Sequence, residues 1–442
     1  MKSLKTFPKG GVHPGDFKDL TNKEPIRNAA IKDSFIIPMS QHIGAPCECL
    51  VNPGDEVKEG MLIGKASGFI SANIHSPAPG VVKEITDIFL ANGLKTKAVV
   101  LEPSGYFDQL GKNIVPADWN SLSAKELQEK IFNSGIVGLG GATFPSNVKY
   151  MIPPDAKVEA LVINGVECEP YLTADHRLML EKSAEIFKGL EILQKVLNPE
   201  KIFIGIEANK PDAIDIMGNL AQESGGKIEV VPLKLKYPQG DEKQLLKAIT
   251  GREVPSGKLP INIGAVVSNV GTVFAIYEAV VLNKPLFERV VTVTGRGIKN
   301  PSNLKVRVGT KVRDLIEDCG GVTDDTVKLV MGGPMMGFTM CSLDTPVTKG
   351  TSGILALTEK EIGKSVQTAC IMCGRCVKVC PIGLVPTKLY KNITHRRYQD
   401  AMHLNLMDCK ECGCCAYVCP ANIPLVQGMR LGKKMANKKV KS

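Results

Sequence analysis

Eight of the fourteen cysteines fall into two copies of one pattern, Cys370-x-x-Cys373-x-x-Cys376-x-x-x-Cys380-Pro381 and Cys409-x-x-Cys412-x-x-Cys415-x-x-x-Cys419-Pro420. Three thiolates spaced three apart can wrap three corners of an iron–sulfur cube. Zinc is the alternative occupant, but paired four-cysteine runs that end in Cys-Pro depart from its usual two-plus-two spacings. The chemistry implied is one-electron transfer, and it needs a source or sink of electrons elsewhere in the chain.

Upstream lie residues suited to holding an anionic, dinucleotide-like ligand. Gly138-Leu139-Gly140-Gly141-Ala142-Thr143-Phe144-Pro145 is a glycine-rich loop whose backbone N–H groups can approach a phosphate with no Cβ in the way. The segment Asn164-Gly165-Val166-Glu167-Cys168-Glu169-Pro170 ends the apolar run 158–163, and α/β folds place ligands at such strand ends. Tyr237-Pro238-Gln239-Gly240-Asp241-Glu242 opens a short helix. Ser268-Asn269-Val270-Gly271-Thr272 follows the apolar run 263–267 at a helix start, a second anion site.

The elements that must position these residues are legible in outline. Ser123-x-x-Glu126 before Leu127 and Ile131 is a capping box. A long amphipathic helix over 175–197, strands at 201–206 and 228–233, and a helix near 212–223 then alternate as in an α/β layer with a mainly parallel sheet. Residues 1 to about 110 are rich in Gly and Pro with short β-type runs around 53–60 and 74–82. Cys47, Cys49 and His75 in that region read as packed side chains rather than ligands. Residues 289–295, 304–308 and 327–331 alternate like strands around a helix at 311–319. The flexible turn at 331–337 carries methionines suited to filling gaps, and 386–404 is expected to be helical. Cys414 belongs to neither run and reads as a packed thiol.

With 442 residues the chain has room for roughly three domains, each with its own core. Thiolate clusters call for a reducing compartment, and the sparse remaining cysteines do not form a disulfide scaffold. Pro8, Gly10 and Gly11 interrupt the start before any apolar signal region could form. Residues 261–282 are long and apolar, but Ser268, Asn269, Gly271, Thr272 and Glu278 argue for a strand, turn and buried helix rather than a membrane span. Net charge is +10, and six basic residues with no acid lie within 430–442. That segment reads as a basic tail, solvated or touching an anionic partner; no nucleic-acid module is recognisable.

The two cysteine runs resemble those of two-cluster ferredoxins, in which the fourth cysteine of each run ligates the other cluster. This assigns Cys370, Cys373, Cys376 and Cys419 to one 4Fe-4S cluster, and Cys409, Cys412, Cys415 and Cys380 to a second. The N-terminal region resembles a biotinyl/lipoyl-like barrel-sandwich hybrid, with no lysine on its 66–72 hairpin. The glycine loop, the Asn-x-x-Glu-x-Glu-Pro segment, the Tyr-x-x-Gly-acid-Glu segment and the Asn-Val-x-Thr turn resemble the FMN- and NADH-binding fold of the complex I flavin subunit. That resemblance implies FMN on Gly138, Gly140, Gly141, Ala142, Thr143, Phe144, Lys149, Asn164, Glu167, Gly240, Asn269 and Thr272. It implies Glu169 and Glu242 near the flavin and nicotinamide, and Lys258 near the nucleotide. Val166 and Gly271 depart from the pattern, replacing an aspartate and a glutamate.

Residues 286 to about 355 resemble the SLBB β-grasp. The expected architecture is therefore multidomain, mixing α/β and α+β. A barrel-sandwich hybrid spans 1–115 and a Rossmann-like FMN/NAD(H)-binding domain 116–285. An SLBB β-grasp follows at 286–358, a two-cluster ferredoxin module at 359–428 and a basic tail at 429–442. This order is similar to the C subunit family of the Rnf complexes, ion-translocating ferredoxin:NAD+ oxidoreductases. The resemblance implies NAD(H) as substrate, membrane and iron–sulfur subunits as partners, and indirect exchange with ferredoxin. It implies a peripheral place on the cytoplasmic face of the membrane. A soluble corrin reductase with the same flavin fold and two clusters, and an electron-transfer scaffold without nucleotide binding, are the alternatives.

Overall fold

The computed structural model describes residues 4–107, 116–362 and 366–440. The expected boundary at 115 and the last two residues of the basic tail lie outside the described residues. A four-stranded parallel sheet holds the centre, its strands in the spatial order Ile228–Leu233, Lys201–Glu207, Ala160–Asn164, Ala265–Asn269. Both faces are covered, as parallel sheets require. Leu161, Ile163, Ile202, Ile204 and Val266 meet helices Ser183–Leu197 and Val270–Val281 on one face. Ala160, Val162, Val231 and Val267 meet Leu245 and Ile249 of helix Glu242–Thr250 on the other. The alternation of neighbouring residues between the two cores is the period-2 geometry of a strand.

The expected single helix over 175–197 is two helices, Ala174–Glu181 and Ser183–Leu197, with Lys182 out of helical conformation between them. Glu181 is held at the break by the backbone N–H of Ile26 and by Arg177, so the first helix follows an N-terminal strand while the second follows the parallel sheet. Residues 261–282 form a short 3-10 turn, a strand and a buried helix. Among the described residues no helix is long and apolar enough to cross a membrane.

The barrel-sandwich unit pairs a four-stranded sheet, including the long hairpin Gly80–Phe89 and Lys95–Pro103, with a three-stranded one. Phe35, Ile37, Ile63, Ile74 and Leu101 close its core. The SLBB unit is a six-stranded sheet whose edge strand, Ile26–Asn28, comes from the N-terminus and pairs in parallel with Ser302–Arg307. Short helices Arg375–Lys378, Pro386–Thr394, Tyr398–His403 and Cys414–Tyr417 build the cysteine unit. Of the segment read as a basic tail, residues 429–440 continue helix Leu425–Val440. Met429 is buried there, Arg430 and Lys433 pair with Glu411, and the Arg430 guanidinium lies over the Phe338 ring.

Residues 4–30 pair with none of the barrel strands and instead cross the other units. Val12 exchanges backbone hydrogen bonds with Tyr237, and the Gly11 N–H donates to the Val379 carbonyl at 2.8 Å. Gly10 has φ +63°, and a Cβ there would come within 2.7 Å of the Cys380 carbonyl, so only glycine lets the strand approach so closely. Lys18 is buried, and its Nζ donates to the carbonyls of Glu167, Glu169 and Leu172 at 2.9, 3.0 and 2.5 Å. A second buried lysine, Lys349, donates to Asn73 and Gly135 carbonyls and so joins the barrel, the flavin-type domain and the SLBB unit. Replacing Lys18 with Met leaves three buried carbonyls without a donor, a loss on the order of 3 kcal/mol. The expected result is a lower thermal midpoint and faster proteolytic cleavage near residues 165–172; an unchanged midpoint would show the clamp to be dispensable.

Candidate cofactor and electron-transfer site

The chain runs outward from strand Ala160–Asn164 to Lys201–Glu207 and Ile228–Leu233, then returns to Ala265–Asn269 on the opposite side of the first. The crevice between the first and last strands is the topological switch point, where open α/β sheets bind ligands. Asn164 and Asn269 face each other there in register at the strand ends. The Asn269 amide donates to the Asn164 carbonyl at 3.3 Å, and its Oδ1 accepts from the Gly271 N–H, capping helix Val270–Val281. The Asn164 side chain donates to the Gly240 carbonyl at 2.9 Å and accepts from Val166 N–H.

The glycine loop closes over this end. Gly138 N–H donates to the Phe144 carbonyl, and Leu139 N–H donates to Thr272 Oγ1 at 2.9 Å. A Cβ on Gly140 would sit 3.2 Å from the Asn269 Cβ, whereas Gly141, at φ +126°, faces open space. Gly140, Gly141 and Ala142 are exposed, and Thr143 receives the N–H of Ile43 from the barrel unit. The loop thus forms a bare backbone rim over a helix N-terminus, a cradle suited to a phosphate. Lys149 Nζ pairs with Glu242 at 2.9 Å and donates to the Val267 carbonyl at 3.0 Å, beside the same strand end. Lys258 stands on an exposed turn.

The two glutamates of the 164–170 segment diverge. Glu167, at φ +46°, accepts from the backbone N–H groups of Asp175 and His176, so its carboxylate caps the next helix. Glu169 is turned the other way, accepting from Tyr237 OH at 3.1 Å and from Met335 N–H at 3.1 Å. Burial pushes its carboxyl up to about 7, against the pull of those donors. Beneath the loop, Lys210 is fully buried and donates to the Val166 carbonyl at 2.7 Å. Lys18, Lys210, Tyr237 and Met335 all shape this site; Tyr237 and Met335 stood within stretches singled out in the sequence, and the two lysines did not.

The two cysteine runs share a backbone as well as a spacing. Met372 and Glu411 both sit in the left-handed region, and so do Gly374 and Gly413 after the second cysteine of each run. Cys380 lies with Cys409, Cys412 and Cys415 around one apolar pocket closed by Leu384, Leu389, Val426 and Met429. Backbone N–H groups of Leu384 and Glu411 donate to Cys380 and Cys409 Sγ at 3.3 and 3.4 Å. Burial, then the charges of Cys412, Cys409 and Cys380, drive the Cys415 thiol far up. Four cysteines around one apolar pocket form a soft, thiolate-type donor set that suits a metal cluster. No three His, Cys, Asp or Glu among the described residues converge closely enough for a single metal ion. Cys376 is buried beside Cys419 and Cys373, while Cys370 and Cys373 are exposed. The first pocket lies toward the flavin-type domain: Cys414 Sγ faces the Tyr237 carbonyl at 3.8 Å, and the Met335 carbonyl abuts Gly413. Cys47 is packed, its Sγ on the Ala72 carbonyl at 3.0 Å.

Family models match four stretches in the order of these units. Residues 5–106 match the RnfC barrel sandwich hybrid domain, 131–278 the Nuo51 FMN-binding domain, 290–339 the SLBB domain and 369–423 the 4Fe-4S dicluster domain. The C subunit of the proton-translocating ferredoxin:NAD+ oxidoreductase complex of Clostridium ljungdahlii is 49% identical over 92% of this chain and 88% of its own. Its Na+-translocating counterpart from Acetobacterium woodii is 44% identical over 96% of both chains. The C subunit of the ion-translocating oxidoreductase complex of Rhodobacter capsulatus is 43% identical over 96% of this chain and 82% of its own. Among solved structures, an NAD+-reducing [NiFe]-hydrogenase in the H2-reduced state aligns over 64% of this chain and 55% of its own at 16% identity, with a TM-score of 0.48. With the four units in this order and these identities holding over nearly the whole chain, the protein belongs to the RnfC family, the C subunits of the ion-translocating ferredoxin:NAD+ oxidoreductases known as Rnf complexes.

Proposed function

We propose that this chain is the NAD(H)-reacting arm of its complex, with FMN at the switch point and two 4Fe-4S clusters in the cysteine unit. The backbone N–H groups of Gly140 and Gly141 with Thr272 would take the flavin phosphate, Gly138 would shape the loop through its bond to Phe144, and Asn164, Asn269 and Lys149 would take the rest of the cofactor. A bound flavin exchanges two electrons with nicotinamide and single electrons with clusters, which is the conversion the family's reaction requires. The observation that carries the reading is the convergence of the bare glycine rim and the asparagine pair, with a four-cysteine pocket behind Tyr237 and Met335.

Cys380, Cys409, Cys412 and Cys415 would hold the inner cluster, and Cys370, Cys373, Cys376 and Cys419 the outer one. The outer run, exposed with Ile371 and Met372, would face an iron–sulfur partner in the complex. Membrane subunits would move the ion and ferredoxin would exchange electrons elsewhere in the complex, with this chain held peripherally at the cytoplasmic face. Glu242 fixes Lys149 at the strand end. Glu169, with its carboxyl near neutrality, changes charge in the working range. Ionised, it stabilises the cationic ring of oxidised nicotinamide; protonated, it does not.

Three outcomes test this reading. Gly140→Asp places a carboxylate against the phosphate cradle and presses on Asn269, so the purified variant is expected to lose FMN while keeping its iron and sulfide; retained FMN would misplace the site. Cys376→Ala is expected to cost about half of the iron and leave bleaching of the flavin by NADH intact. Lost bleaching would mean that the outer cysteines serve the hydride step. In the parent protein the rate of NADH oxidation is expected to rise with pH through about 7, and in Glu169→Gln that limb should flatten. A limb that persists in the variant would remove Glu169 from the role.

A further inference from the structure

A second cavity opens on the far side of Asn269 from Lys149, between the flavin-type domain and the SLBB sheet. Its volume is about 340 Å3. Helices Ala174–Glu181 and Val270–Val281 form two walls, and strands Ile26–Asn28 and Glu288–Thr294 close the third. Gly271 also lines it, and a Cβ there would press on Asn269 Oδ1 at 3.1 Å, with Asp175 Oδ1 at 3.5 Å. Leu178, Phe274, Ala275 and Val290 supply an apolar surface.

The charges around the cavity are matched except at one point. Glu181 is held by Arg177, Lys182 pairs with Glu185, and Glu278 and Glu288 are held by Lys284 and Lys305. Arg289 is different. It is 7% exposed, its Nε and Nη1 donate to the carbonyls of Val290 and Lys349, and among the described residues no carboxylate forms an ion pair with it. Asp175 is the acid whose charge reaches it, but that carboxyl already accepts from Asn269 Nδ2 at 2.6 Å, and burial followed by the charge of Glu167 pushes it up to about 7. A buried guanidinium without a counter-ion is costly, and a bound anion offsets that cost.

We propose that this cavity is a binding site for a small organic monocarboxylate, its carboxylate on Arg289 and its apolar body against Leu178, Phe274 and Val290. Guanidinium geometry suits a carboxylate. The surrounding Glu181, Glu278 and Glu288 disfavour a dianion such as inorganic phosphate. The site borders the turns that frame the flavin cradle through Leu139 and Gly271, but it extends from them toward Arg289 and the SLBB strands, and it does not rest on the flavin assignment.

The test uses anaerobically purified full-length protein with its cofactors in place. Benzoate is titrated by ligand-observed NMR, flavin content is measured before and after, and inorganic phosphate is titrated in parallel. Saturable benzoate binding without flavin release is expected, weakened at least tenfold both by Arg289→Gln, which removes the cation, and by Ala275→Leu, which fills the cavity from the helix while leaving the charge in place. Ala275→Leu keeps the test decisive if Arg289→Gln fails to fold. Absent binding, binding untouched by the folded variants, or phosphate bound in preference would overturn the proposal. Benzoate that expels FMN would overturn it too, since the cavity would then be part of the flavin's own site.

Discussion

The arrangement of the site depends on how residues 165–172 are held after the central strand ends. Two buried ammonium groups do this. Lys18 gathers the carbonyls of Glu167, Glu169 and Leu172, and Lys210 takes that of Val166. With its carbonyls drawn inward the segment must turn sharply, and both Glu167 and Tyr171 adopt positive φ, strained for side chains of their size. The result is that neighbouring glutamates point in opposite directions, one to a helix start and the other toward the SLBB turn and Tyr237. A lysine suits this task better than an arginine, because three donors on one nitrogen can serve carbonyls that converge on a point.

That loop also fixes where the cysteine unit sits. Glu169 holds Met335 of the SLBB turn, the Met335 carbonyl abuts Gly413, and Tyr237 faces Cys414. Val12 and Gly11 complete the enclosure by bonding to Tyr237 on one side and Val379 on the other. Each contact has a backbone atom on at least one side, and the side chains that take part, Glu169 and Cys414, are short and enclosed, so the spacing between the strand-end crevice and the Cys380 pocket is set without a long flexible side chain in between. Electron transfer weakens steeply with distance, and rigid backbone contacts hold that distance better than a hinged linker between two independent domains would.

Much of this was legible in the sequence, for identifiable reasons. The cysteine runs, the glycine loop and the asparagines at strand ends are local patterns whose chemistry is written in residue type and spacing. The parallel sheet followed from apolar runs alternating with helical ones. Three features were not legible. Ile26–Asn28 is three residues long and becomes a strand only because Ser302–Arg307 offers an edge, some 275 residues away. The break at Lys182 has no proline or glycine to announce it and exists because Glu181 is wanted by Ile26. Lys433, read as part of a free basic end, is drawn onto the Cys409 carbonyl and Glu411, partners that no local pattern could supply.

A common thread joins the buried cations that the sequence hid. Lys18, Lys349 and Arg289 are anchored on backbone carbonyls rather than on carboxylates. Carbonyl dipoles solvate a charge without cancelling it, so the junctions between units carry positive potential. Burial pushes Lys349 down to about 7, reflecting the cost of taking an ammonium out of water. A flavin phosphate and thiolate-bound clusters are anionic, and the nearest of these cations would be stabilised when they bind. Cofactors that bind only the folded state stabilise it through their binding free energy. The strain left at Glu167 and Tyr171 is tolerable because Lys18, Lys210 and the turn at Met335 hold the loop from separate sides, so that it never has to keep its shape alone.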